Sequence, residues 1–199
     1  LNGEIDPSNQ NKYSFIPGLL HKYEMLLAYV SVNCSSHCRY CYRSDLFSGI
    51  SNKLKADMNM VAHYISTYNN LIDNYIQLES EFNKETGLHH HKPSGEPLIK
   101  IREMLFSGGD VMTLPNATIA RYMTLMAEAG VKNIRLGTKE FVFQPQRMDS
   151  HFFKMLDLFH ETYNNVRVDI VGHYVHPYEF TEPIIDNYGN YVYDVYGHW

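Results

Sequence analysis

Cysteine is scarce in this 199-residue chain, and its scarcity is informative. There are only three, too few for a disulfide framework, and all three lie within eight residues. One site accounts for them, which fits a reducing, cytoplasmic setting. No apolar run is long enough to span a bilayer, and no signal-peptide pattern opens the chain, so no membrane is expected. Positive charge is also short: 17 Lys and Arg against 22 Asp and Glu give a net charge of −5. No nucleic-acid or anionic-membrane partner is expected from that balance. Tryptophan occurs once. What is plentiful is Tyr (16) and Phe (10), most of which read as core and pocket-wall packing. Hydrophobic and charged fractions of 44% and 20% suit one soluble domain with a real core.

The three cysteines form Cys34-Ser35-Ser36-His37-Cys38-Arg39-Tyr40-Cys41, with spacing C-x3-C-x2-C. Three thiolates on one loop can ligate three irons of a cubane cluster and leave the fourth iron open to a substrate or cofactor, unlike a four-cysteine electron carrier. Two other readings stand beside it. Cys34, Cys38 and Cys41 with His37 make the donor set of a Cys3His zinc site, although such sites usually draw ligands from two separate loops. Reactive or redox thiols are the third, since a disulfide would leave one cysteine over.

The rest of the chain alternates. Residues 1–24 read as a polar approach segment with Pro7, Pro17 and Gly18. Residues 25–32 are short, apolar and β-rich, and the cysteine loop leaves their C-terminal end. Residues 56–79 carry apolar side chains at helical spacing. Residues 99–106, 131–136 and 166–171 read as further strands, and 115–129 and 149–163 as helices, with Asp149 as N-cap. This rhythm predicts an α/β fold with a parallel sheet and right-handed crossovers, the first units of a TIM-barrel-like, partial βα barrel. Functional loops then gather at the C-terminal ends of the strands. Residues 66–97 look like an insertion within a core of residues 25–199. Their His89-His90-His91 run reads as surface loop. A Tyr- and Gly-rich loop or hairpin is expected at 188–196. Leu1 at the start and the Tyr193–Trp199 ending suggest a segment of a longer, here truncated, protein.

Ser107-Gly108-Gly109-Asp110 follows the second core strand. Glycines there permit close approach of backbone to a ligand. With the cysteine spacing, this resembles the radical S-adenosylmethionine (SAM) superfamily. Five blocks narrow the resemblance: Leu20–Tyr23, Cys34–Arg43, Leu105–Asp110, Ile134–Thr138 with Pro145–Arg147, and His173–Glu179. Their order and spacing are similar to the lysine 2,3-aminomutase family, over residues 19 to about 183.

That resemblance implies a [4Fe-4S] cluster, SAM and pyridoxal 5′-phosphate (PLP) as cofactors. It implies reductive cleavage of SAM to a 5′-deoxyadenosyl radical, driving migration of an amino group from the α to the β carbon of an amino acid. Carried over by position, Cys34, Cys38 and Cys41 hold the cluster. Tyr40, Ser107, Gly108, Gly109, Asp110, Arg135, Thr138 and His173 surround SAM, with His176 nearby. Lys22 and Tyr23 hold the PLP phosphate, and Arg43 pairs with the substrate carboxylate, a bidentate task suited to a guanidinium. An electron donor such as a flavodoxin or ferredoxin, and a homo-oligomer in the full-length protein, are implied too. The departure is equally plain. The family's PLP lysine lies in a C-terminal part with no counterpart here, and no lysine follows Lys154. A radical SAM protein without PLP or aminomutase activity, or a zinc-binding structural module, are the alternatives.

Overall fold

The structure is a computed structural model that describes residues 14, 16–22, 24–41, 43, 55–86, 99–176 and 179. His89–His91, Tyr23 and residues 188–196 lie outside the described residues. Five strands make one sheet in the order β1-β2-β3-β4-β5. These are β1 (Leu19–Lys22), β2 (Met25–Ser31), β3 (Glu103–Gly108), β4 (Asn133–Thr138) and β5 (Arg167–Gly172). β2 to β5 run parallel, each joined to the next through a helix. Those helices are α1 (Met58–Thr86), α2 (Asn116–Glu128) and α4 (Ser150–Thr162), with a single turn α3 (Glu140–Phe143) before α4. This is a mixed, mostly parallel α/β arrangement, and its parallel part is what the alternation predicts.

Three details differ from the sequence reading. Leu19–Lys22 is not an approach to the first strand but a strand itself, antiparallel to β2, so the expected boundary at residue 24 falls in a hairpin turn. Its alternation is too short to read as a strand without its partner. The ladders of β3, β4 and β5 begin one to four residues later than the apolar runs that announce them. Before β3 the cause is visible: Ile101 is buried, but its N–H and C=O are held by the Asn69 side chain on α1, at 2.8 and 3.1 Å, instead of by a strand. Finally, α1 runs on to Thr86, seven residues past the expected helix end at 79.

β2, β3 and β4 are buried on one face and half-open on the other. Leu26, Ala28, Val30, Met104, Phe106, Ile134 and Leu136 are almost fully inaccessible and pack with Val61, Ile65, Ile119, Met123, Met126, Phe152 and Phe159 of the helices. Each of these side chains larger than alanine contributes roughly 1.5–3 kcal/mol. The opposite face carries Leu105, Ser107, Arg135 and Gly137 at the positions between. All loops that leave the C-terminal ends of β2 to β5 therefore meet at one rim. Among the described residues no helix is long and apolar enough to cross a membrane.

Candidate functional site

At that rim lies a cleft of about 340 Å³. Its walls include Cys34, Cys38, Cys41, Tyr40, Arg43, Ser107, Gly108, Gly109, Asp110, Thr138 and His173, eleven residues singled out by sequence. Ser36, Leu105, Gly137, Lys139 and Val171 complete it.

The cysteine loop and the glycine turn are one hydrogen-bonded unit. Gly109 N–H donates to Ser31 C=O and Asp110 N–H to Asn33 C=O, both at 2.8 Å. Ser31 Oγ meets Thr113 Oγ1 at 2.8 Å, and Thr113 Oγ1 donates to Asp110 C=O at 2.6 Å. Both glycines are sterically required. A Cβ on Gly109 would stand 2.0 Å from Asn33 O, and one on Gly108, whose φ is +105°, would stand 2.3 Å from Ser31 O. The close approach that the glycines permit is thus to the root of the cysteine loop, and the amides of residues 109 and 110 are already bonded within the chain.

The thiols of Cys34, Cys38 and Cys41 are free and half-buried. The Ser36 hydroxyl sits 3.2 Å from Cys34 Sγ and 3.3 Å from Cys38 Sγ, so two of the three sulfurs flank one point. Among the described residues no three His, Cys, Asp or Glu side chains gather closely enough to hold a single metal ion. A cluster places its cysteines on different irons, whereas zinc draws its sulfurs to about 2.3 Å from one centre. Three free thiols on one cleft wall supply the donor set that such a cluster takes. His37 is exposed, with φ of +39°.

Around the thiols the wall is polar. Tyr40 hydrogen-bonds Cys38; that bond, then burial and the nearby thiol and carboxylate charges, push its phenol up to about 12. Its ring meets the edge of His173 at 5.8 Å between centroids. Arg43 Nη1 donates to Ser107 Oγ at 2.9 Å, and its guanidinium lies 5.1 Å from the Tyr29 ring centroid. Asp110 is buried. Its Oδ1 accepts from Thr138 Oγ1 (2.7 Å) and Met112 N–H (2.9 Å), and its Oδ2 from Lys139 N–H (2.7 Å). Burial raises its pKa, and the three hydrogen bonds oppose that. Asp110 and Thr138 thus join the ends of β3 and β4.

Other expected residues stand apart. Arg135 does not line the cleft; it lies two residues below Gly137 and bonds Glu103 at 2.8 Å, away from the rim. Lys22 sits in the hairpin beside Met25, at the opposite end of β2 from the cysteine loop, about 20 Å along the strand. The cleft therefore does not fit PLP through Lys22. His176 is exposed and outside the cleft. Conversely, sequence reasoning missed Lys139 and Gln144. Gln144 Nε2 reaches Ser35 Oγ at 3.2 Å, tying the loop after α3 to the cysteine loop. Lys139 follows directly on the Gly137-Thr138 strand end, which is the signal that could have found it.

No family model matches the chain. It is 27% identical over 179 residues to an L-lysine 2,3-aminomutase of Clostridium subterminale, covering 89% of this chain and 35% of that protein. An L-lysine 2,3-aminomutase of Methanococcus maripaludis is 26% identical over 180 residues, covering 89% and 33%. A glutamate 2,3-aminomutase of Clostridioides difficile is 26% identical over 182 residues, covering 90% and 35%. The chain is thus similar to 2,3-aminomutases over about nine-tenths of its length. It spans between 33% and 41% of the length of the first relatives it matches. Lysine- and glutamate-acting relatives lie at nearly equal identity, so the likeness does not separate the two substrates.

Proposed function

We propose that this chain is the cluster- and SAM-binding part of a radical SAM aminomutase. The observation that carries the reading is one cleft that gathers three free thiols, a glycine turn and polar strand ends. In this reading Cys34, Cys38 and Cys41 hold a [4Fe-4S] cluster, and the wall from Ser107 to Asp110 with Tyr40, Thr138 and His173 receives SAM. The cluster, when bound, supplies the electron that cleaves SAM reductively for hydrogen abstraction. The chain's own part is to bind, orient and exclude water. Asp110 holds the β3 and β4 ends in register, and Tyr40 with His173 closes one side. Arg43 presents a guanidinium at the rim for a carboxylate of the amino-acid substrate.

Further parts of the reading rest on the family likeness. They are 1,2-amino migration, a βα barrel completed by the remainder of a longer protein, a cytoplasmic setting, an electron donor such as a flavodoxin or ferredoxin, and homo-oligomerisation. PLP belongs in this reading to that remainder, since Lys22 is remote from the cleft and Tyr23 lies outside the described residues.

The test is anaerobic iron–sulfur reconstitution followed by electron paramagnetic resonance with and without SAM. A reduced four-iron signal that changes on adding SAM is expected. Tightly held zinc without a cluster, or a cluster indifferent to SAM, overturns the reading.

A further inference from the structure

Lys139 and Glu179 form an ion pair, buried at the lysine and half-buried at the glutamate, that neither composition nor spacing announces. Lys139 Nζ lies 2.8 Å from Glu179 Oε2, with the two side chains 6% and 16% exposed. The same ammonium donates to His173 C=O at 3.2 Å. The Lys139 amide donates to Asp110 Oδ2, Glu179 Oε2 accepts the Val175 N–H at 2.9 Å, and His173 N–H donates to Thr138 C=O at 2.8 Å. One lysine therefore joins the Gly-Gly-Asp turn, the end of β4 and the strap of residues 173–176 and 179 that leaves β5. The strap carries His173, whose ring edge meets Tyr40 on the cysteine loop.

A buried ion pair is an inefficient source of stability, because desolvation of both charges offsets most of their attraction. A hydrophobic pair of similar volume would hold two elements together equally well. What it would not do is fix direction, with separate hydrogen bonds to a carboxylate and a backbone carbonyl.

We infer that Lys139 and Glu179 are positioning residues that clamp the strap after β5 so that His173 and Tyr40 form a fixed wall for SAM. The inference rests on the reading that SAM occupies this cleft. The test uses the full chain with reconstituted cluster, comparing wild type with Lys139→Met/Glu179→Leu, Lys139→Arg and Glu179→Ala. SAM affinity is read by equilibrium dialysis and by titration of the reduced-cluster resonance signal, and thermal stability is measured alongside. The double variant should unfold at nearly the wild-type temperature and keep its iron, yet bind SAM roughly 10- to 100-fold more weakly, the usual effect of losing an outer positioning contact. Lys139→Arg should recover part of the loss. Glu179→Ala, which leaves the ammonium in place, should weaken SAM as well.

Wild-type affinity in the double variant overturns the clamp. So does a parallel loss of stability and iron, which would make the pair a structural prop, and so does undiminished affinity in Glu179→Ala, which would make Lys139 a direct ligand. If wild type itself holds a cluster that ignores SAM, the parent reading fails, and the clamp with it.

Discussion

Replacing Asp110 by Asn changes one atom and should cost more than most surface deletions. The carboxylate accepts three hydrogen bonds, two on Oδ1 and one on Oδ2, and the residue is 3% exposed. An amide offers one oxygen. If that oxygen takes the Oδ1 position, the amide nitrogen faces the Lys139 N–H. If it takes the Oδ2 position, the nitrogen faces the Met112 N–H. In either orientation a buried backbone donor is left against another donor. An unsatisfied buried group costs about 1–3 kcal/mol, and the remaining bonds lose their charge assistance. Asp110→Asn should therefore destabilise the full chain by about 2–3 kcal/mol. Asp110→Ala, which strips the acceptor from all three donors, should cost about 3–5 kcal/mol. For a protein of this size each kcal/mol lowers the melting temperature by about 2–4 °C. Urea unfolding at pH 7, followed by circular dichroism, reads the difference directly. An Asn variant within about 0.5 kcal/mol of wild type, well below the cost of one unsatisfied donor, would refute the hydrogen-bond account.

Three other outcomes follow from the geometry. Gly109→Ala must push the glycine turn off Asn33, because the nearest atom to the new Cβ is backbone at 2.0 Å; iron content after reconstitution should fall well below wild type, and wild-type iron loading would refute the welded-loop picture. Asn69→Ala removes both bonds that clasp Ile101 to α1 and should cost about 2 kcal/mol in denaturant unfolding, at about 1 kcal/mol per bond. Asp149 caps α4 through a 2.8 Å bond from Phe152 N–H, which is the main cause of its lowered pKa. Its stabilisation is present above the unfolded carboxylate value of about 3.9 and is lost as pH falls through the lower folded value. Asp149→Ala should then cost about 1 kcal/mol at pH 7, and the gap should shrink in unfolding curves taken below about pH 3.

How much of this was legible in the sequence depends on the range of the interaction. The Asp149 cap, the parallel strands and the clustering of their C-terminal ends rest on patterns a few residues long, and the structure has them. The Lys139–Glu179 contact spans 40 positions and exists only because the strap folds back across the end of β4. Nothing local announces it. Arg135 shows a different limit. Its place in a strand was readable, but a strand position fixes which face a side chain takes, not how far along that face it reaches. Glu103, at the far end of the neighbouring strand, draws the guanidinium away from the rim. Lys22 was displaced by an antiparallel hairpin that carries it to the other end of β2.

The glycine turn is the case where residue type was read correctly and its physical purpose was not. Glycine at the end of a strand signals close approach, and the sequence offers a ligand as the thing approached. In the fold the near neighbours are Ser31 O and Asn33 O, the last turns of backbone before Cys34. The amides of Gly109 and Asp110 are consumed there, so neither is open to a ligand in the cleft. The same contacts fix the root of the cysteine loop to the end of β3. A root welded in this way sets where the cysteine loop leaves the sheet. That predisposition lowers the ordering cost of assembling a site on a flexible segment. In the proposed reading the glycines thus serve binding indirectly, by fixing the root of the loop that carries the thiols.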